Sequence, residues 1–377
     1  MGIKQVSRVL LRNIANLPGW RTHRKIVIIE SDDWGSIRMP SKTTYNSLLE
    51  KGIKLTSNGT SIFNQYDSLE SNNDLTALFE TLSKFKDKNG NHPVFTPLCV
   101  VANPDFEKIS NSGFEEYYYE NFNETLLKYK GRENVYDLWL EGIRNKLFVP
   151  QFHGREHLNV AVWMKALKEN DPDTHFAFNN GMWGFKNRHP HNISNQAAFE
   201  LSDPTEITSQ TAILADGLSV FKKLLGYKAS YFVPPNGAIN NRLELAASSA
   251  GIKYMYGERF QHESLGNGKT KIHWHYLGQK NKHSQIYLSR NCNFETSVDN
   301  RDWVNECLSS INTVFKWKKP AIINTHRVNY IGAIDPANRD KGIRNLNELL
   351  ATVVKIWPDV EFMTSTDLGA LIAKTRV

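Results

Sequence analysis

Apolar residues along this chain fall in short runs that alternate with stretches of helical periodicity, and the first run is the most apolar. Lys25 to Glu30 (KIVIIE) is a continuous β-branched segment followed by turn residues, the pattern of a strand buried on both faces. Leu75 to Phe85 sets Leu75, Leu78, Phe79 and Leu82 on one helical face, and Val94 to Val101 is strand-like. Tyr136 to Leu147 is helical, Phe148 to Phe152 a short strand, and Asn159 to Lys168 a helix with Asn159 as its N-cap. Thr211 to Leu225 and Leu243 to Ala250 are helices ended by Gly226 and Gly251. Ala229 to Val233, Lys253 to Tyr256, Gln285 to Ser289, Ala321 to Thr325 and Val360 to Met363 are strands, with helices at Trp303 to Phe315 and Ile343 to Val354 between the last of them.

Strands alternating with helices of this length predict an α/β fold with a parallel sheet and βα connections. Seven or eight such units predict an irregular (β/α)7–8 barrel, closed or nearly so, with an open doubly wound sheet as the other arrangement. No repeat, low-complexity tract or linker divides residues 23–377, so they form one domain, with extra elements within 40–145. Residues 1–22 read as a basic amphipathic helix, with Val6, Val9, Leu10, Ile14 and Leu17 at helical spacing. Such a helix can pack onto the domain as a plain helix or rest on the inner face of a membrane. The N-terminal sequence has no apolar stretch long enough for a membrane span or a signal-peptide core. Three cysteines at irregular spacing argue against a disulfide framework and for a reducing, cytoplasmic setting.

The balance of 46 Lys+Arg against 39 Asp+Glu gives a net charge of +7. The basic runs, Arg21 to Lys25 and Lys316 to Lys319, are short and flank strands, so they read as solvated surface and no nucleic-acid partner is expected. The first strand is not followed by a Gly-rich phosphate loop, which argues against a nucleotide.

Polar residues gather after the strands: Ser31-Asp32-Asp33-Trp34-Gly35, His153-Gly154, Pro235-Asn236-Gly237 and His326-Arg327. In parallel α/β folds the C-terminal strand ends assemble sites, so these four segments are expected on one rim. Adjacent side chains diverge on an extended backbone, so Asp32 and Asp33 are expected to do different jobs, one facing a metal and the other a water. His153 and His157 have the H-x3-H spacing that places two imidazoles on one face of a helical turn, although 12 histidines in 377 residues supply about 0.4 such pairs by chance. Two imidazoles and one carboxylate are a common set for a catalytic Zn²⁺ that keeps a position open for water. His326 ends an apolar strand and, beside such a metal, could protonate a leaving group. His273 and His275 share a face of the probable strand KIHWHY but have no tie to this rim.

The ordered set resembles the polysaccharide deacetylases of the NodB-homology type, carbohydrate esterase family 4. The family's T-F-D-D is matched by Glu30-Ser31-Asp32-Asp33, its H-[ST]-x-x-H by His153 to His157, and its R-x-P-[YF]-G by Val233-Pro234-Pro235-Asn236-Gly237. Its D-x-x-D-W is matched by Asp299 to Trp303, and its last strand with a histidine by Ile322 to His326. The resemblance implies a metal-dependent hydrolase that removes acetyl groups from an acetylated glycan or amino sugar, cutting an amide or ester bond with metal-bound water. It implies Asp33, His153 and His157 as ligands of a divalent metal, most plainly Zn²⁺, with Asp32 as general base and His326 as general acid. A backbone N–H near Pro235 or Asn236 would take the oxyanion, and Trp34, Arg155, Pro235, Asn236 and Arg327 would bind substrate; Trp183 and Tyr231 are further aromatic surfaces. Val233 stands where the family has the Arg that orients its catalytic Asp, and Arg155, Arg290 or Arg327 could supply that guanidinium from elsewhere. Asn236 replaces an aromatic residue, and Arg327 stands where an Asp is usual.

Two other readings remain. The chain could be a metal-containing carbohydrate-binding relative without turnover. His153 to His157 also fit H-x-x-E-H of inverted zinc peptidases, which would make Glu156 the base and require a helix and a downstream Glu ligand.

Overall fold

The computed structural model describes residues 13–14, 16–55 and 61–375. Nine parallel strands form the main sheet: β1 (Lys25–Trp34), β2 (Phe95–Val100), β3 (Gln151–Gly154), β4 (Tyr231–Phe232), β5 (Tyr254–Tyr256), β6 (Ile286–Leu288), β7 (Cys292–Asn293), β8 (Ala321–His326) and β9 (Val360–Phe362). Their hydrogen-bonded order is β6-β5-β4-β3-β2-β1-β8-β7, and β9 pairs with the start of β1. Strands β6 and β7 are the two ends of this path, yet only Ser289, Arg290 and Asn291 separate them in sequence. Four residue steps span at most about 14 Å, whereas seven strand spacings in a flat sheet come to about 34 Å. The sheet must therefore curl until its edges nearly meet, giving the irregular, incompletely closed (β/α) barrel that the strand–helix alternation predicts.

Alternation along the strands sorts the core into two layers. Val27 and Ile29 of β1 pack with Phe95, Phe152, Phe232 and Ile323 against surrounding helices, among them Ile207–Leu225 and Pro336–Ile356. Ile26 and Ile28 face the other way, with Leu98, Tyr231, Leu288 and Ile322, and there meet Trp20 and Leu368 and Ile372 of the helix Ser365–Thr375. β1 is buried along nine of its ten residues because it lies in the middle of the path with layers on both faces.

Between residues 40 and 145 the chain adds helices Lys42–Glu50, Ser61–Tyr66 and Asn72–Ser83, the hairpin Ala102–Pro104 with Tyr119–Asn121, and three short helices around it, besides β2. The predicted helix over residues 1–22 lies largely outside the described residues. Its end does not extend as expected: from Asn16 the chain runs through Pro18 without helix, and Trp20 N–H bonds the Leu277 carbonyl at 2.8 Å. Asn159 caps its helix as the pattern predicts, accepting from Val162 N–H. Among the described residues no helix is long and apolar enough to cross a membrane.

The helix Pro336–Ile356 presses on the turn Arg327–Tyr330 that follows β8, and a Cβ on Gly342 would stand 1.6 Å from the Asn329 carbonyl oxygen. Gly342→Ala should therefore destabilise the protein by about 3 kcal/mol through backbone overpacking, read as a lowered urea midpoint. An unchanged midpoint would contradict this contact.

Candidate metal site and its surroundings

The Asp pair lies inside β1, not after it, because the strand runs four residues beyond its apolar core. Asp32 pairs in register with His326 on β8, while the register with β2 shifts between Ser31 and Trp34. This irregularity carries Asp33 into a left-handed conformation (φ 77°), uncommon for a residue with a side chain and least costly for Asp or Asn. It sends the two carboxylates to different partners.

Asp33 Oδ1 lies 3.0 Å from His157 Nε2 and 3.6 Å from His153 Nε2. The two imidazoles do not share a helical turn: His153 lies within β3, one residue before its end, and His157 lies in the loop beyond it. Gly154 makes this route possible, since its φ is 155° and a Cβ there would come within 2.9 Å of the Glu156 carbonyl oxygen. That is a physical reason for glycine at the position where the resembled motif has a hydroxyl residue. The His153 Nδ1–H donates to the Val233 carbonyl at 2.6 Å, which orients the ring with Nε2 toward Asp33. That Nε2 and the His157 Nδ1 are buried without a hydrogen-bond partner. Burial lowers the His157 pKa to about 4 in spite of Asp33, so its ring is neutral. Burial works against charge on Asp33, but Arg38 and the two imidazoles outweigh it and hold its carboxyl well below the usual range.

The donor set fits a divalent ion. The ligand atoms of Asp33, His153 and His157 all lie within 4.8 Å of one another. Metal–ligand bonds of about 2.0 Å in a tetrahedron imply donor separations of about 3.3 Å, and the observed 3.0 and 3.6 Å bracket this value.

Asp32 turns to the other side. Arg290, in the three-residue link between β6 and β7, grips it with Nη2 at 2.6 Å and Nη1 at 2.7 Å, and its Nε reaches Glu30 at 2.6 Å. Of Arg155, Arg290 and Arg327, it is Arg290 that the structure brings to Asp32. Burial opposes ionisation of Asp32, and Arg290 overrides it, lowering the pKa. His326 Nε2 is 3.9 Å from Asp32, and its Nδ1 bonds Glu295 at 2.7 Å. Burial alone would lower the His326 pKa, but Glu295 and the two Asp carboxylates push it up to about 9. Asp32, Asp33, His153, His157, Asn236 and His326 all line one cavity of about 310 Å³.

The other expected substrate contacts lie elsewhere. Trp34 is core: its indole N–H donates to Ser31 Oγ and its ring meets Phe148 edge-on at 4.9 Å. Arg155 turns from the cavity to Glu156 (2.6 Å) and Asp216 (3.0 Å) and lies over the Tyr119 ring. Arg327 is fully buried between Asp67 (3.0 Å) and Glu70 (2.8 Å). Pro235 is buried beside Asn236 and has no N–H to offer. In that segment Val233 N–H bonds the Phe152 carbonyl and Gly237 N–H the Pro234 carbonyl, so Asn236 (φ 56°) is the candidate backbone donor. The D-x-x-D-W match is a capping element outside this cavity: Asp302 caps the helix Trp303–Lys316, and Asp299 binds Arg301 and the Trp303 indole. The peptidase reading loses its helix, and Glu156 is occupied by Arg155. His273 bonds Glu263 on a separate hairpin, away from this cavity. Sequence reading missed Arg38, Phe63, Gln196, Tyr256 and Glu258 of the cavity wall, and Glu295 behind His326. None of these carries a local motif; Arg38, Tyr256 and Glu258 offered only a place near a strand end, and Phe63, in the helix Ser61–Tyr66, offered no signal.

No protein-family model matches the sequence, and no curated protein sequence matches it. Solved structures give loose likenesses. A candidate polysaccharide deacetylase from Mycobacterium smegmatis is 12% identical, over 96% of this chain and 94% of its own, at a TM-score of 0.44. A candidate glycoside hydrolase/deacetylase from Parabacteroides distasonis is 8% identical over 95% and 73%, at 0.49, and PuuE allantoinase is 8% identical over 94% and 92%, at 0.48. Likenesses this loose say nothing about substrate or activity.

Arg327 gives a clean test of the placement described above. Arg327→Gln would leave Asp67 and Glu70 buried without their cation and should cost about 3–5 kcal/mol of stability. A surface substrate contact would instead leave the denaturation midpoint unchanged and raise KM.

Proposed function

We propose that this chain is a metal-dependent hydrolase that removes acetyl groups from a sugar or polysaccharide. The observation that carries this reading is the meeting, in one cavity, of a buried Asp-His-His set, with His153 Nε2 lacking a hydrogen-bond partner, and a second Asp–His pair on the adjoining strands. A divalent ion held by Asp33, His153 and His157, zinc by the chemistry of its donors, would act as a Lewis acid and lower the pKa of a water from about 15.7 toward about 7. Asp32, ionised and oriented by Arg290, accepts a proton from the water that attacks the acetyl carbonyl. The Asn236 N–H points to the role of oxyanion donor. His326, kept protonated by Glu295, gives its proton to the departing sugar nitrogen or oxygen, so that acetate and a free amine or hydroxyl result. Arg290 at Asp32 supports turnover over a binding-only role, because it stands in for the guanidinium missing at Val233.

Two measurements check this. His157→Ala should lose bound metal by elemental analysis, whereas Asp32→Asn should keep it and release acetate from acetylated sugars about 10²- to 10⁴-fold more slowly. Glu156→Gln should leave catalysis at Asp32 in place. Peptide cleavage abolished by Glu156→Gln, with Asp32→Asn active, would overturn the reading.

A further inference from the structure

The antiparallel hairpin Phe260–Gly266 with Lys269–Trp274 has its polarity inverted. Residues opposite one another in such a pair share a face. One face, with Gln261, Glu263 and His273, turns to the body of the protein: Gln261 bonds His275, and Glu263 bonds Asn241 N–H and His273. The other, with the opposed pairs Phe260–Trp274 and His262–Ile272, turns outward. Phe260, Ile272 and Trp274 are 60%, 61% and 52% exposed, so the hairpin buries polar side chains and presents apolar ones. An outward aromatic and aliphatic face of this kind marks an interaction surface.

Charge selects the partner. Residues 258–283 contain five cations (Arg259, Lys269, Lys271, Lys280 and Lys282) against two carboxylates, the exposed Glu258 and the buried Glu263. The N-terminal segment meets the base of the hairpin: Asn16 and Pro18 share a small cavity with Arg259, His275 and Leu277, and Ile14 and Leu17 are about half exposed. The sequence before it, residues 1–12, holds Lys4, Arg8 and Arg12 and no acid. That stretch is itself basic, so it is no charge complement for the hairpin, and an anionic partner from outside the chain is favoured. Tryptophan and phenylalanine among lysines suit the interface of a bilayer, where rings enter the headgroup level and ammonium groups stay at the phosphates.

We propose that this hairpin face docks on a membrane rich in anionic lipid. Glu258, in the wall of the metal-side cavity, is two residues from Phe260, so docking brings the cavity mouth beside the lipid surface. That position suits a glycan carried on a lipid; this last clause rests on the deacetylase reading, while the docking itself does not.

The test is cosedimentation of the full chain with vesicles of phosphatidylcholine alone or mixed with phosphatidylglycerol. Binding is expected with phosphatidylglycerol, falling as salt is raised. The double variant Phe260→Ser/Trp274→Ser should bind about tenfold or more weakly, and Lys269→Gln/Lys271→Gln should weaken the dependence on phosphatidylglycerol, each with an unchanged thermal melt. The proposal fails if the wild type ignores phosphatidylglycerol or if both variants bind as it does. It fails equally if Phe260→Ser/Trp274→Ser instead splits a dimer, which would give the face to a second copy. Metal content and acetate release in detergent are independent of all these outcomes, so they separate a failed docking from a failed deacetylase reading.

Discussion

The link from Leu288 to Cys292 constrains everything around it. Four residue steps join opposite ends of an eight-strand path, and the sheet curls because the chain is too short to allow anything else. The same link carries Arg290, which the curl delivers to Glu30 and Asp32 on the central strand. Closure of the barrel and orientation of a carboxylate are therefore one event, and the buried charges on β1 are acceptable because their cation arrives with the seam.

The irregularity in β1 does the complementary work. Consecutive aspartates on a regular strand would point to opposite faces of the sheet; the shift of register against β2 lets both serve one cavity while keeping separate partners. Asp33 faces Arg38 and two imidazoles, and Asp32 faces the Arg290 guanidinium and the His326 imidazole. Those surroundings suit one carboxylate to hold a cation and the other to move protons, as the proposed mechanism asks.

Much of this was legible in the sequence. Lys25 to Glu30 announced a central strand because burial on both faces demands an unbroken apolar run. Asp33, His153 and His157 could be picked out together because each follows or ends such a run, and the fold brings their donor atoms within one small sphere. What local sequence could not show was partnership across long separations. Trp34, Arg155 and Arg327 looked available because they adjoin the motifs, but Asp67 and Glu70, some 260 residues from Arg327, and Asp216 for Arg155 take them out of the cavity. Arg290 and Glu295 carry no motif, and their importance comes from where the seam and β8 place them. The H-x3-H spacing suggested a helical turn; a left-handed glycine achieves the same convergence by a different route.

The central claim is that Asp33, His153 and His157 hold one divalent metal. Its most direct test is an anomalous difference map from crystals of the wild-type protein grown with zinc, collected on both sides of the zinc absorption edge. The account predicts a single strong peak about 2 Å from Asp33 Oδ1 and from one nitrogen of each imidazole, vanishing below the edge. A map without density among these three side chains, or with its peak on another set of residues, would contradict it.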